Sequence, residues 1–492
     1  MPRHPRERVR RTVGHGTAVP RGLGAPAPGD PTLGRFGRMF RLPPCEAGPD
    51  ELKVLVEQMS RRMGDSKMNS HVPAGFTYLG QFIDHDITFD PMSKLDDRND
   101  PRTLVNFRTP RLDLDSLYGA GPDDQPFLYD WPKSEPGGSK LVVGAGGPIK
   151  NPAPADLPRN QQGRALIGDA RNDEHVIISQ LHLLFIHFHN AVVDHLRDEK
   201  HKEEGLLEKA QQIVRWHYQW IVVHDFLPKV VGKTMAENVI VPAVAGGRSR
   251  VRRRHYRWKR QPFIPVEFSG AAFRFGHSMA RANYRLRGKR PGETKAPRPR
   301  PLFEDLQGLT WLDDDLTIDW ELFFNLRAVL GTKIPGPQLS FGIDTAIAPS
   351  LFELPEKGAL PSLNLRRGWA LSLPSGQRVA KLMRVRQLKE EELFLDDQVR
   401  GKTRELLVRS TPLWYYVLCE AAATFSAAGE PTKDSHLGPV GGRIVAEVIA
   451  GLLEGDPASY LNAKSPWKPG ELGTGDDFTM VDLILFAGGA PA

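Results

Sequence analysis

Hydrophobic positions return every three to four residues in five stretches of this chain: 75–88, 174–196, 206–223, 412–425 and 440–453. That period is the mark of helices with one buried face, and it predicts a helix over each stretch. Strict alternation is rare, and 140–143 is the best strand candidate. Pro and Gly are dense over 119–165 and 285–301, which read as long irregular connections, the second of them basic (RLRGKRPGETKAPRPRP). No internal repeat is visible. The pattern predicts a mainly α fold with long loops and little β.

Composition narrows this further. The 492 residues include 47 Gly and 42 Pro, too many breakers for a coiled coil. No stretch approaches the roughly 18 uninterrupted apolar residues of a membrane span. Cys45 and Cys419 are the only cysteines, so a packed core and not a disulfide framework must hold the fold. Charge is uneven. Residues 1–35 carry +5 and residues 248–260 carry +8, while the whole chain is +7, so the remainder is about −6. The basic character therefore sits in two patches, which disfavours a nucleic-acid function; an anionic surface stays open as a target of the tail. Residues 1–35 have few large apolar residues and no apolar segment behind the arginines. They read as a disordered basic tail without a secretory signal, which implies a cytoplasmic protein or leaderless export. From Phe36 to Ala492 the composition is that of one globular domain.

Four segments carry candidate chemistry. In Gly80-Gln81-Phe82-Ile83-Asp84-His85-Asp86, a helix of about 100° per residue puts Gln81, Asp84, His85 and Thr88 on one stripe. Leu79, Phe82, Ile83 and Ile87 fall on the opposite side, and Asp86 points away from its two neighbours. This is either a solvated surface helix or one arranged for two tasks. In Gly168-Asp169-Ala170-Arg171-Asn172-Asp173-Glu174, Asp169 is a candidate N-cap, with Arg171 and Glu174 neighbours on the first turn. His182 and His189 share a face of the following helix but His187 does not join them. With no HExxH spacing, all three read as structural or solvent-facing. In Thr109-Pro110-Arg111-Leu112-Asp113-Leu114-Asp115, an extended loop would turn Thr109, Asp113 and Asp115 to one side. With the Thr109 and Arg111 carbonyls, these could give Ca²⁺ five of the six to eight oxygens it takes; a solvated acidic loop is the alternative. Lastly, His277 in Ala272-Phe273-Arg274-Phe275-Gly276-His277 is either a satisfied core histidine or a neutral imidazole fit to bind haem iron.

Taken together, GQFIDHD at 80–86, LDSLYG at 114–119, GDARNDE at 168–174, AFRFGH at 272–277 and LNLRRG at 363–368 resemble the animal-type haem peroxidases, the superfamily that includes myeloperoxidase and, more distantly, the cyclooxygenases. The resemblance implies that family's helical fold over 36–492, with haem b and Ca²⁺ as cofactors. Its expected reaction reduces hydrogen peroxide and oxidises halide, thiocyanate or a small aromatic donor. By motif position it makes His85 the distal base, Gln81 its neighbour, Arg171 the distal arginine and His277 the iron ligand. Asn364 would orient His277, and Arg274 would meet a haem propionate. Asp84 and Glu174 match the carboxylates that form ester links to haem. Asp86, Thr109, Arg111, Asp113 and Asp115 match the calcium ligands. His175 stands where myeloperoxidase has a sulfonium-forming methionine, so that third link is not expected. The scarcity of cysteine, the lack of a signal peptide and the basic segment 248–260 depart from the family pattern.

Two other classes are distinguishable. A fatty-acid oxygenase of the cyclooxygenase type needs a radical tyrosine three residues before the iron ligand, where this chain has Arg274. A non-catalytic adhesion or polyanion-binding protein would use the basic segments but has no need of the His85–Arg171 pair.

Overall fold

The computed structural model describes residues 34–488, apart from 63–68, 91–94, 96–97, 102, 133–137, 242–248, 303–304, 332, 355–357, 427–434, 471 and 473–474. Its centre is the longest of the helices, Val176–Asp198, in which Ile177, Ile178, Phe185, Phe188, Val192 and Val193 are fully buried. This helix is long and apolar enough to cross a membrane, but 83% of its most apolar window is buried inside the protein. Leu206–Trp220 packs along it on one side and Gly75–Ile87 on another. Phe82 stacks on Phe185 with ring centroids 4.7 Å apart, and Tyr218 meets both rings edge-on.

The head of the long helix differs from expectation. Asp169 does not cap it; its side chain accepts the Arg171 N–H and caps a separate 3₁₀ turn, Ala170–Asp173. His175 is extended and bridges to Gln307, which interrupts the helical path. The His175 ring then caps the α-helix by accepting the Ile178 N–H at 3.3 Å. Farther on, Leu206–Trp220 continues through a π turn, Ile221–Phe226, into Leu227–Val231. Pro228 has no N–H to give the preceding turn, and the wider π turn accommodates that gap.

Two C-terminal helices, Leu413–Ser426 and Pro439–Gly455, fall close to the predicted positions. Both pack against the Ala272–Phe275 turn, and so hold the residues just before His277.

Strands are short, the longest among the described residues being Asn69–Pro73. The expected strand at 140–143 is absent: Leu141 makes one bridge to Tyr129, and its N–H and carbonyl are both taken by the Asn190 side chain. The basic tail lies outside the described residues as far as 33. Gly34 and Arg35, which composition assigned to it, belong to the strand Gly34–Gly37 instead, paired with Val105–Asn106 and with Ile264–Pro265.

Gly168 shows why the third and second motifs need each other. A Cβ there would lie 2.6 Å from the Ser116 carbonyl oxygen and 2.7 Å from that of Asp115. The backbone of 168–174 thus lies directly on that of 115–118. Gly168→Ala must push two backbones apart, and we expect a loss of about 1–3 kcal/mol in chemical denaturation; an unchanged midpoint would contradict this contact.

Candidate functional site

The polar stripe predicted on Gly75–Ile87 is turned inward. His85 is only 6% exposed, and its Nδ1–H faces the Asn172 Oδ1 at 2.8 Å. The Asn172 Nδ2 in turn donates to the His182 Nδ1 at 3.0 Å. This orientation leaves the His85 Nε2 as the lone-pair nitrogen. Burial, with the Arg171 charge next, lowers the His85 pKa to about 3, and burial alone accounts for most of a like depression in His182. His85 is therefore a neutral base at ordinary pH. Asn172 was not singled out by sequence reasoning, and His182, read there as structural or solvent-facing, is buried and serves as the partner of Asn172. The signal available was Asn172 lying inside the GDARNDE motif.

Arg171 is fixed from two directions. Its Nε and Nη2 meet the Asp169 carboxylate, the shortest contact being 2.7 Å. Its Nη2 also donates to the carbonyls of His85 at 2.9 Å and Thr88 at 2.7 Å, and the guanidinium lies over the Phe89 ring. Gln81 donates to Glu174 at 2.7 Å and accepts from the His175 Nε2 at 3.0 Å, so those three side chains form one group, with Glu174 exposed. The Asp84 carboxylate accepts from the Thr88 hydroxyl at 3.0 Å. Burial raises its pKa, opposed by Arg274 and Arg171.

His277 lies on a short helix, Gly276–Met279, packed against Gly75–Ile87. Burial, with the Arg274 charge next, holds it neutral with a pKa of about 3. Asn364, fully buried on Leu360–Ala370, donates from its Nδ2 to the His277 Nδ1 at 2.8 Å. The Asn364 Oδ1 also accepts from the Arg274 Nη1 at 3.2 Å, and the Arg274 carbonyl is held by the Trp414 indole N–H at 3.2 Å.

A cavity of about 380 Å³ opens beside Arg171 and Arg274. Asp84, Thr88 and Arg171 line one part of it, Arg274 and Arg367 another, and Phe36, Phe89, Leu104, Val266 and Leu371 supply apolar wall. Arg367 pairs with Asp90 at 3.3 Å. A slot with one apolar wall, edged by three guanidinium groups and by the Asp84 and Asp90 carboxylates, suits a flat group that carries carboxylates. Haem is such a group. Arg367 lies in the LNLRRG motif, but nothing in its spacing set it apart from Arg366.

The acidic loop is not extended. Leu114 has positive φ (56°) and Asp115 starts a helical turn, Asp115–Tyr118, so the oxygens converge through a bend and not through alternation. Carboxylate oxygens of Asp86, Asp113 and Asp115 lie within 4.8 Å of one another, and all three residues are buried. Both oxygens of Asp86 and one of Asp115 have no hydrogen-bond partner. Thr109 donates to Asp113 at 2.7 Å, while the Arg111 side chain points to Asp456 at 3.9 Å. Burial, then the other carboxylates, raises Asp86 far above the usual range; burial raises Asp115 to about 7. Unpaired buried carboxylate oxygens at this density fit a hard divalent cation. Tyr218 is a further buried neighbour of this cluster, its pKa pushed up by burial and by Asp86. Among the described residues no histidine cluster with metal-binding geometry appears; His189 is held by the Ser139 carbonyl and Tyr118.

The family model for "Animal haem peroxidase" matches residues 93–485, and the chain belongs to that family. Among curated relatives, heme peroxidase 2 of Caenorhabditis elegans is 23% identical over 82% of this chain and 62% of its own length. Thyroid peroxidase of Canis lupus familiaris is 25% identical over 56% of this chain and 29% of its own. The chain thus spans less than two thirds of these relatives. Among solved structures, peroxidase A of Dictyostelium discoideum superposes with a TM-score of 0.62 at 15% identity, covering 94% of both chains. A fatty acid alpha-dioxygenase of Arabidopsis thaliana gives 0.58 at 15% identity over 86% of this chain and 73% of that one. These structural likenesses bear on the fold, which is the mainly helical one expected from the sequence.

The depressed histidine pKa values set a pH dependence. His85, His175, His182 and His277 bind protons less tightly folded than unfolded. Their contribution to stability is complete above about pH 6.5 and is lost as pH falls toward about 3. In haem-loaded protein the rate of reaction with peroxide, followed by stopped flow, should stay level from about pH 8 to 5 and fall only below about 4. A profile that titrates near 6.5 would contradict the environment described for His85.

Proposed function

We propose that this protein is a haem-dependent peroxidase that reduces hydrogen peroxide and oxidises a small donor: a halide, thiocyanate or a small aromatic molecule. The observation that carries the reading is the pair of neutral histidines, buried His85 on Asn172 and half-buried His277 on Asn364, on packed elements whose neighbouring residues Asp84 and Arg274 line one cavity. Haem b, when bound, supplies the iron that takes up peroxide and the oxidising equivalents passed to the donor.

The chain's own residues would do the rest. His85 Nε2 takes the proton from the near oxygen of peroxide and returns it to the far one. Arg171, pre-set by Asp169, offers positive charge where the departing oxygen becomes negative. His277 meets the iron through Nε2, which requires its proton on Nδ1 and the Asn364 oxygen as acceptor. In this structure the Asn364 Nδ2 faces that nitrogen and its Oδ1 accepts from Arg274; a haem propionate drawn to Arg274 would release the oxygen, and the amide would turn over to present it to the imidazole. Arg367 is a second propionate partner at the cavity wall. Gln81 and Glu174 close the far end of the distal group, and Asp84 and Glu174 are the carboxylates for ester links to haem. Asp86, Asp113 and Asp115, with Thr109 and the Arg111 carbonyl, hold one Ca²⁺. The fatty-acid dioxygenases share the fold, but Arg274 at the position of the radical tyrosine counts against that chemistry here.

Three measurements test this reading. His277→Ala should lose the ferric haem spectrum, while His85→Ala should keep it and react with peroxide about 10²- to 10⁴-fold more slowly; an unchanged spectrum in His277→Ala would remove it as the ligand. Metal analysis after dialysis should find one calcium per chain, and a chelator should lower the melting temperature; no calcium and no shift would remove the cation site. After peroxide treatment, acid–organic extraction should leave haem on the wild-type protein and release more from Asp84→Val or Glu174→Gln. Complete extraction from the wild type would show that the ester links do not form.

A further inference from the structure

An unbroken run of buried ion pairs joins the acidic cluster to Arg171. Arg108 is 3% exposed, and its Nη1 lies 3.0 Å from Asp115. Its Nη2 donates to Asp169 and to the Gly168 carbonyl. Asp169, fully buried, is the same carboxylate that holds the Arg171 Nε and Nη2. Arg171 then grips the carbonyls of His85 and Thr88. Nothing in this run requires a cation site; a cap on a helix end needs Arg171 and Asp169 only. Arg108 is the added part, and its planar fork is what lets one side chain face two acids at once.

The charge count gives the run a purpose. Asp86, Asp113, Asp115 and Asp169 are four acids against Arg108 and Arg171, which leaves two negative charges unbalanced in a buried region if all are ionised. A divalent cation among the first three acids makes the whole set neutral. Buried charge without a partner is costly, so the ion and the two arginines are bound to one balance.

We propose that Arg108 and Asp169 are positioning residues that couple cation occupancy to the placement of Arg171, a step that rests on the cation reading above. With the ion bound, Arg108 is shared between Asp115 and Asp169, and Asp169 is shared between two arginines. With the ion gone, the three carboxylates draw Arg108 toward themselves. Asp169 then has Arg171 as its main counter-charge and pulls the guanidinium away from the cavity. The cation thereby tightens anion binding beside His85, and an anion there tightens the cation by the same factor.

Fluoride is the probe, because a small anion on ferric haem is held by the guanidinium near it. Its Kd is read from the haem absorption spectrum of the full-length, haem-loaded protein, with calcium bound and after chelation, and calcium content is measured separately. In the wild type, chelation should weaken fluoride at least ten-fold. Arg108→Met should keep its calcium, since a nearby positive charge is gone, yet show less than a two-fold effect of chelation. Arg108→Lys should fall between, because an ammonium cannot face both acids in the same way. Should Arg108→Met fail to fold, Asp169→Asn, which keeps the shape and removes the charge, should show the same loss of coupling. A long-range effect of the calcium charge alone would persist unchanged in these variants, and that result overturns the proposal while leaving the cation site in place. Wild-type protein that holds no calcium overturns both.

Discussion

The end of the helix Gly75–Ile87 leaves carbonyl oxygens with no partner inside the helix, as every helix end does. Arg171 takes two of them, from His85 and Thr88, with a single nitrogen. Much of the site follows from that contact. It locks the helix carrying His85 to the turn carrying Asn172, and so sets the 2.8 Å contact that orients the imidazole. The guanidinium can serve there because Asp169 compensates its charge, and Asp169 is in place because Gly168 lets the two loops touch.

Burial then does the chemical tuning. His85 and His277 sit on elements packed against each other, and each is kept neutral mainly by the loss of water around it. The same loss of water acts on the carboxylates in the other direction, raising Asp84, Asp86 and Asp115. A neutral imidazole is useful as a base or an iron ligand, whereas a crowd of buried carboxylates calls for a cation. One physical effect thus prepares two kinds of site within a single helix, His85 facing one way and Asp86 the other.

Much of this was legible in the sequence, because helical period and motif order are local properties. The stripe with His85 on one side and Asp86 on another is a matter of about 100° per residue, and it survives folding. What was not legible depends on contacts between distant segments. Asn172, Arg108 and Arg367 take their meaning from partners at His182, Asp169 and Asp90, which no spacing reveals. The acidic loop converges for a different reason than alternation, because Leu114 turns left-handed before Asp115. The long helix starts at Val176 because Gln307 draws His175 into an extended bridge, another contact from far along the chain.

The central claim is that His277 binds haem iron through Nε2 while Asn364 holds its other nitrogen. The iron–histidine stretching band of ferrous, haem-loaded protein in resonance Raman reads that bond directly. The account predicts a band in the wild type that shifts to lower frequency in Asn364→Leu, where the imidazole loses its acceptor and becomes a weaker donor to iron. It predicts loss of the band in His277→Gly and its return when free imidazole is added. A band that persists unchanged in His277→Gly without imidazole would place the iron on another residue and contradict the account.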